Sequence, residues 1–196
     1  GLKPGETLPD FALPDPDGRT VRREELLDDR PLALTFFRGC WCPYCDAALR
    51  ALERARPEIE AAGGRLVAVA PETPAELRRT GAARGLGFLL LSDPDGRYAR
   101  LCGVRYDESE QIEAVYRRLD AEFPVRDRAL PWSLPLPAAY AVGRDGVIAH
   151  VFVDPDWSYR IEPIDLVRAV QALAQAAAAD RVGVSASSTN DLTGGE

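Results

Sequence analysis

Leu32-Ala33-Leu34-Thr35-Phe36-Phe37-Arg38-Gly39-Cys40-Trp41-Cys42-Pro43-Tyr44-Cys45 joins an apolar run, a glycine break and three cysteines. The segment LALTFF is rich in strand formers and has no polar alternation, which predicts a buried strand. Pro43 suits the first turn of a helix, where its missing N–H costs nothing. Asp46 to Glu60 continues with Leu49, Leu52 and Ile59 at near-helical spacing, and Pro57 is expected to kink or restart that helix. A strand thus feeds a helix start, and a thiol sits at the joint.

Outward from this joint, strands and helices alternate. Upstream, Pro9 to Leu13 and Thr20-Val21 flank Asp15-Pro16-Asp17-Gly18, the pattern of a small hairpin. Downstream, Leu66 to Ala70 is a second buried strand. Thr73 and Pro74 then read as N-cap and first residue of a helix running towards Arg84. Phe88 to Leu91 is a third strand, closed by Asp93-Pro94-Asp95-Gly96. Ile112, Val115, Tyr116 and Leu119 form an apolar helix stripe. A loop with Pro124, Pro131, Pro135 and Pro137 leads to Tyr140 to Val142 and Val147 to Val153, joined across Arg144-Asp145-Gly146. A last helix covers Pro163 to Ala179. The expectation is one α/β domain over residues 1–179, a mixed central sheet with helices on both faces and an N-terminal hairpin. Residues 180–196, small and polar, read as a disordered tail.

Composition narrows the function. The chain has 196 residues, is 46% hydrophobic and carries a net charge of −7, so it has the means for one core and no basic stripe for nucleic acid. All but one of its 24 basic residues are Arg. No apolar run approaches ~18 residues, so no membrane span is expected. The start does not read as a signal peptide, and the expected location is the cytoplasm; with no Met in the chain, Gly1 is not an initiator and a removed leader stays open. Three of the four cysteines crowd into six residues, unlike a secreted disulfide framework.

A thiol at a helix start faces unbonded backbone N–H groups and the positive end of the helix dipole. Such a setting lowers a cysteine pKa from ~8.5 into roughly 3.5–7.5 and makes a nucleophilic thiolate. Cys42 holds that place, and Arg38 adds a positive charge beside it. Residues three apart in a first turn have Cα atoms about 5–6 Å apart, inside the disulfide window, whereas an extended pair two apart lies at its edge, near ~6.5–7 Å. Cys42 is therefore expected to pair with Cys45 before Cys40. Cys40, without the helix field, is expected to keep an ordinary thiol pKa. The competing reading makes Cys40, Cys42, Cys45 and Cys102 ligands of zinc or an iron–sulfur cluster. A second C-x-x-C is missing and Trp41 and Pro43 intervene, so no metal is expected.

FFRGCWCPYCDAALRAL resembles the thioredoxin fold, and within it the peroxiredoxin-like branch of the alkyl hydroperoxide reductase/thiol-specific antioxidant family. PDFAL, LVAVAPETP, LLSDPDGRYARLCGV and LPLPAAYAVGRDGVIAHVFVDPD extend the resemblance in order over Leu8 to Ala174. The resemblance implies a thiol peroxidase without metal or organic cofactor. Cys42 would be the peroxidatic thiol and Cys45 the resolving one, and a thioredoxin-type dithiol would reset the pair. It also implies that Pro137 is the cis-proline set against the site, and leaves a homodimer open. Gly39 stands where the family carries a Thr or Ser that orients peroxide, and Leu136-Pro137-Ala138 where it carries an Arg. Arg38 or backbone N–H groups must then serve as donors. Cys40 is a further departure. A disulfide exchanger acting on proteins, and a redox-sensing interaction module, are the two other readings.

Cys102 reads as a small buried hydrophobe, and the lone His150 as structural. Trp132 reads either as a lid over the cysteines or as a loop anchor. Asp93, Asp95, Asp154 and Asp156 read as solvated turn residues.

Overall fold

Side chains along a strand alternate between the two faces of its sheet, and β3 (Leu32–Phe36) sends Ala33 to one face and Leu32, Leu34 and Phe36 to the other. The computed structural model describes residues 1–28, 30–118 and 133–187. In it β3 is the centre of a five-stranded sheet, in the order β5-β4-β3-β8-β9. β4 (Arg65–Ala70) and β5 (Leu89–Ser92) run parallel to β3, while β8 (Ala138–Val142) pairs antiparallel with both β3 and β9 (Ile148–Val153). Central strands buried on both faces carry unbroken apolar runs, and all five β3 residues are buried.

One face packs under α2 (Pro43–Ala61), α3 (Pro74–Arg84) and α6 (Pro163–Ser187). Leu49, Leu52 and Ile59 of α2, Leu77 of α3, and Leu166, Val167 and Val170 of α6 meet small sheet residues, Ala33, Ala68, Ala139 and Ala141. The small residues let the helices lie close. The opposite face carries the larger Leu34, Phe36, Val67, Val69 and Tyr140. It is covered by the hairpin β1 (Ala12–Pro14)–β2 (Thr20–Arg22), α1 (Arg23–Leu27) and α4 (Arg97–Leu101) through Phe11, Val21, Leu26 and Tyr98. The result is the expected three-layer α/β fold. β6 (Arg105–Asp107) pairs with β7 (Ser133–Pro135) outside the main sheet, and α5 (Glu110–Arg118) follows β6.

Several expectations need correction. Pro57 does not divide α2, which runs from Pro43 to Ala61; Leu52, Ala55 and Ile59 are buried around it, and this packing outweighs the one lost backbone hydrogen bond. α6 does not stop at Ala179 but continues to Ser187. Ser133–Pro135, expected as loop, is a strand. Ile112 and Val115 of α5 are exposed rather than a packed stripe. Asp93 is buried, not solvated: its carboxylate accepts the N–H groups of Tyr98 and Ala99 and so caps α4. The Leu136–Pro137 peptide is trans, so Pro137 is not a cis-proline. Leu136 donates to the Val104 carbonyl and Pro137 accepts from the Asp154 N–H, and these bonds lead the chain extended into β8. Trp132, Pro124 and Pro131 lie outside the described residues.

Candidate active site

β3 ends at Phe36, and the next six residues, Phe37 to Cys42, turn the chain into α2. Gly39 makes that turn possible with φ of +146°, a conformation side-chain-bearing residues avoid. A Cβ built on it would lie 2.5 Å from Nε1 of Trp41. The indole therefore fills the space that a residue-39 side chain would enter, which explains locally why no Thr or Ser stands there.

Cys42 is the N-cap of α2, in extended conformation, and Pro43 follows as the first helical residue. Its carbonyl accepts from the Asp46 N–H at 3.0 Å, starting the helix. Cys45, one turn on, is fully buried, and Cys42 is 1% exposed. Both are free thiols. The Cys45 side chain is the main influence that lowers the Cys42 pKa to about 5. Burial opposes it, while the Cys45 backbone N–H and the charges of Arg38 and Arg160 assist. The Cys45 pKa moves the other way, well above the ordinary range, because its hydrogen bond to Cys42, burial and the Cys42 charge all favour its proton. The pair thus holds one proton at neutral pH, on Cys45, and one negative charge, on Cys42.

Two arginines frame this charge. The Arg38 guanidinium, 2% exposed, lies 5.0 Å from the Trp41 ring and 5.4 Å from the Trp157 ring, and pairs with Glu108 at 3.5 Å. A buried cation needs such compensation. The Arg38 backbone N–H points at Cys45 Sγ at 3.4 Å. Arg160, from the loop between β9 and α6, donates from Nη2 to Cys45 Sγ at 3.0 Å. The same loop brings Trp157, which meets Tyr44 edge-on at 5.0 Å.

Cys40 belongs to a different neighbourhood. Its N–H donates to Glu72 Oε1 at 2.6 Å and its carbonyl accepts from Arg84 Nη2 at 2.9 Å. Burial and the Glu72 carboxylate push its thiol up to about 11, so the expectation of an ordinary pKa fails: the sequence neighbours of Cys40 do not include Glu72, which arrives from the end of β4. Glu72 is itself buried and holds the Thr80 hydroxyl at 3.3 Å.

Cys42, Cys45, Arg38, Trp41 and Pro43 therefore come together in the structure. Cys40 flanks them with its thiol protonated. Pro137 lies at the start of β8, where its successor Ala138 pairs with Phe36 at the end of β3. Cys102 is buried, and its thiol is raised to about 12 by burial first. Sequence reasoning missed Glu72, Glu108, Trp157 and Arg160. Each is remote in the chain from the cysteines, and in so Arg-rich a sequence no local signal sets Arg160 apart.

A strand-to-helix joint carrying an acidic, shielded thiol beside a protonated partner is chemically a peroxide- or disulfide-reducing centre. The family model described as AhpC/TSA matches residues 4–151, which contain the whole cysteine cluster. Peroxiredoxin Bcp of Escherichia coli K12 is 26% identical over 156 residues, covering 78% of this chain and 86% of that protein. Among solved structures, peroxidoxin BcpB of Mycobacterium tuberculosis superposes with a TM-score of 0.69 at 20% identity, over 90% of this chain and 98% of the other. Peroxiredoxin Q of Xanthomonas campestris gives 0.65 at 14% identity, over 84% and 91%. Sequence match and shared thioredoxin fold agree with the thiol chemistry of the cluster, and the chain belongs to the AhpC/TSA family, as a thiol peroxidase of the peroxiredoxin type.

Proposed function

We propose that Cys42 is the peroxidatic thiolate and Cys45 its resolving partner in the same chain. The observation that carries this is the shared proton of the pair, with Cys42 ionised at neutral pH and Cys45 hydrogen-bonded to it. The Cys42 sulfur attacks the terminal oxygen of the peroxide, the O–O bond breaks, and the alkoxide or hydroxide leaves with a proton. Cys42 is then a sulfenic acid. Cys45 attacks that sulfur, a Cys42–Cys45 disulfide forms and the oxygen leaves as water. A thioredoxin-type dithiol reduces the disulfide by exchange and completes the cycle. No other cofactor enters these steps. Three cysteines within six residues do not make a secreted disulfide framework, which favours the reducing cytoplasm as the location.

Gly39 contributes no hydroxyl, so the donors for peroxide are the Arg38 guanidinium, the Trp41 indole beside it and the backbone N–H groups of the first α2 turn. They place positive charge where the leaving oxygen becomes negative. The test is peroxide consumption by the Cys42→Ser variant with a dithiol reductant. Loss of turnover is expected, and full turnover by this variant would overturn the assignment. Peptide mapping of the oxidised protein is expected to return Cys42–Cys45. A Cys40–Cys45 bridge as the main species would contradict the pairing.

A further inference from the structure

The loop after β9 carries a cation that makes no ion pair with a carboxylate among the described residues, namely Arg160. Its Nη1 donates to the carbonyls of Trp157 and Tyr159, both at 2.6 Å, which fixes the guanidinium plane. Its Nη2 is 3.0 Å from Cys45 Sγ. Within the same loop Asp156 accepts both the N–H and the hydroxyl of Ser158. The residue also lies beyond the segment 4–151 matched by the family model. A fixed guanidinium whose neighbouring anion is a sulfur pair has that pair as its counter-charge.

We propose that Arg160 is a positioning residue for the second half of the reaction, holding Cys45 as the thiolate that attacks the Cys42 sulfenic acid. This rests on the peroxidatic role of Cys42 and goes beyond it. While Cys42 is a thiolate, its charge keeps the proton on Cys45. Oxidation of Cys42 by peroxide to the neutral sulfenic acid removes that charge. Burial still favours the proton of Cys45, and the groups that then stand against it and favour the anion are the Arg160 guanidinium, 3.0 Å from the sulfur, and the backbone N–H of Arg38. The charged or titratable groups around it are Cys42 on its own helix, Arg38 on the preceding loop and Arg160; β8 and α6 bring Ala139, Ala141, Leu166 and Val167 to the same cluster. Cys45 loses its proton to solvent and attacks the Cys42 sulfur. The S–S bond forms as the S–O bond breaks, and hydroxide leaves and takes a proton to become water. The arginine thus acts chiefly after the step that consumes peroxide, beside its smaller part in lowering the Cys42 pKa.

The experiment is stopped-flow Trp fluorescence of reduced protein mixed with hydrogen peroxide between pH 5 and 9, for wild type, Arg160→Gln and Arg160→Lys. A first phase proportional to peroxide reports sulfenic acid formation, and a second, peroxide-independent phase reports disulfide closure. The Gln variant should show the second phase with its pH midpoint raised by about 1–2 units. Fewer thiolates, offset by the greater nucleophilicity of a more basic sulfur, give a net slowing of about 3- to 10-fold below the midpoint. The Lys variant keeps the charge and should keep the midpoint near wild type, and dimedone should trap more sulfenic acid in the Gln variant than in the Lys variant. A first phase in each variant certifies the folded site. A Gln variant with the wild-type midpoint, or a Lys variant as impaired as Gln, would overturn the role of Arg160. Absence of any peroxide-dependent phase in the wild type would instead overturn the reading of Cys42, and the inference with it.

Discussion

Replacing Cys45 by Ala removes more than a resolving thiol, because the Cys45 side chain is the main reason that Cys42 titrates at about 5. A hydrogen bond to a charged group is worth about 1.5–3 kcal/mol, which is about 1–2 pKa units. Cys42 in the Ala variant should therefore titrate near about 6–7. The sign follows from the lowered pKa: the thiolate is present above the midpoint and disappears as pH falls through it. At pH 6 the wild type holds roughly 90% thiolate, whereas the Ala variant holds roughly 10–50%, a loss of about 2- to 10-fold in the reactive form. Above about pH 8 both are fully ionised and the difference closes. Cys45→Ser supplies the control, since its hydroxyl still donates a hydrogen bond but cannot form a disulfide. It should keep the midpoint near the wild-type value. Thiolate absorbance at 240 nm and the pH profile of the first stopped-flow phase both read the midpoint. If Ala and Ser variants titrate together at the wild-type midpoint, the Cys45 contact does not set the acidity of Cys42 and the reasoning fails.

Three other outcomes follow from the same geometry. Cys40→Ser should retain most peroxide turnover, while Cys45→Ser should accumulate a dimedone-reactive, over-oxidation-prone Cys42; a stalled Cys40 variant beside a turning-over Cys45 variant would reassign the resolving role. Glu72→Gln in a Cys42→Ser background should lower the Cys40 pKa from about 11 towards the ordinary thiol value, seen as faster maleimide labelling of Cys40 at pH 8–9; an unaltered labelling profile would show that burial alone holds it. Gly39→Ala places a Cβ at positive φ and against Trp41, and should cost about 1–3 kcal/mol of stability together with a slower peroxide step. Thermal unfolding and the first kinetic phase measure the two effects, and an Ala variant matching wild type in both would show that the indole moves aside freely.

Much of the fold was legible because it is written in local patterns. The apolar runs of β3 and β4, the Thr73-Pro74 helix start and the Arg144-Asp145-Gly146 turn each depend on residues close in sequence, and all appear where expected. Short elements such as α1, α4 and β6 were not legible. Each spans five residues or fewer and owes its form to tertiary partners, as α4 does to the buried Asp93 cap.

The site divides in the same way. The place of Cys42 at a helix start, Pro43 behind it and Cys45 one turn on are properties of a fourteen-residue stretch, so sequence alone determined the nucleophile and its partner as candidates. Only the tertiary structure decided their electrostatics. Arg160 reaches Cys45 from 115 residues away, Glu108 balances Arg38, and Glu72 raises the thiol of Cys40 from the end of another strand. Coulomb and hydrogen-bond energies depend on distance in space, and a chain that folds around a five-stranded sheet sets those distances without regard to separation along the sequence.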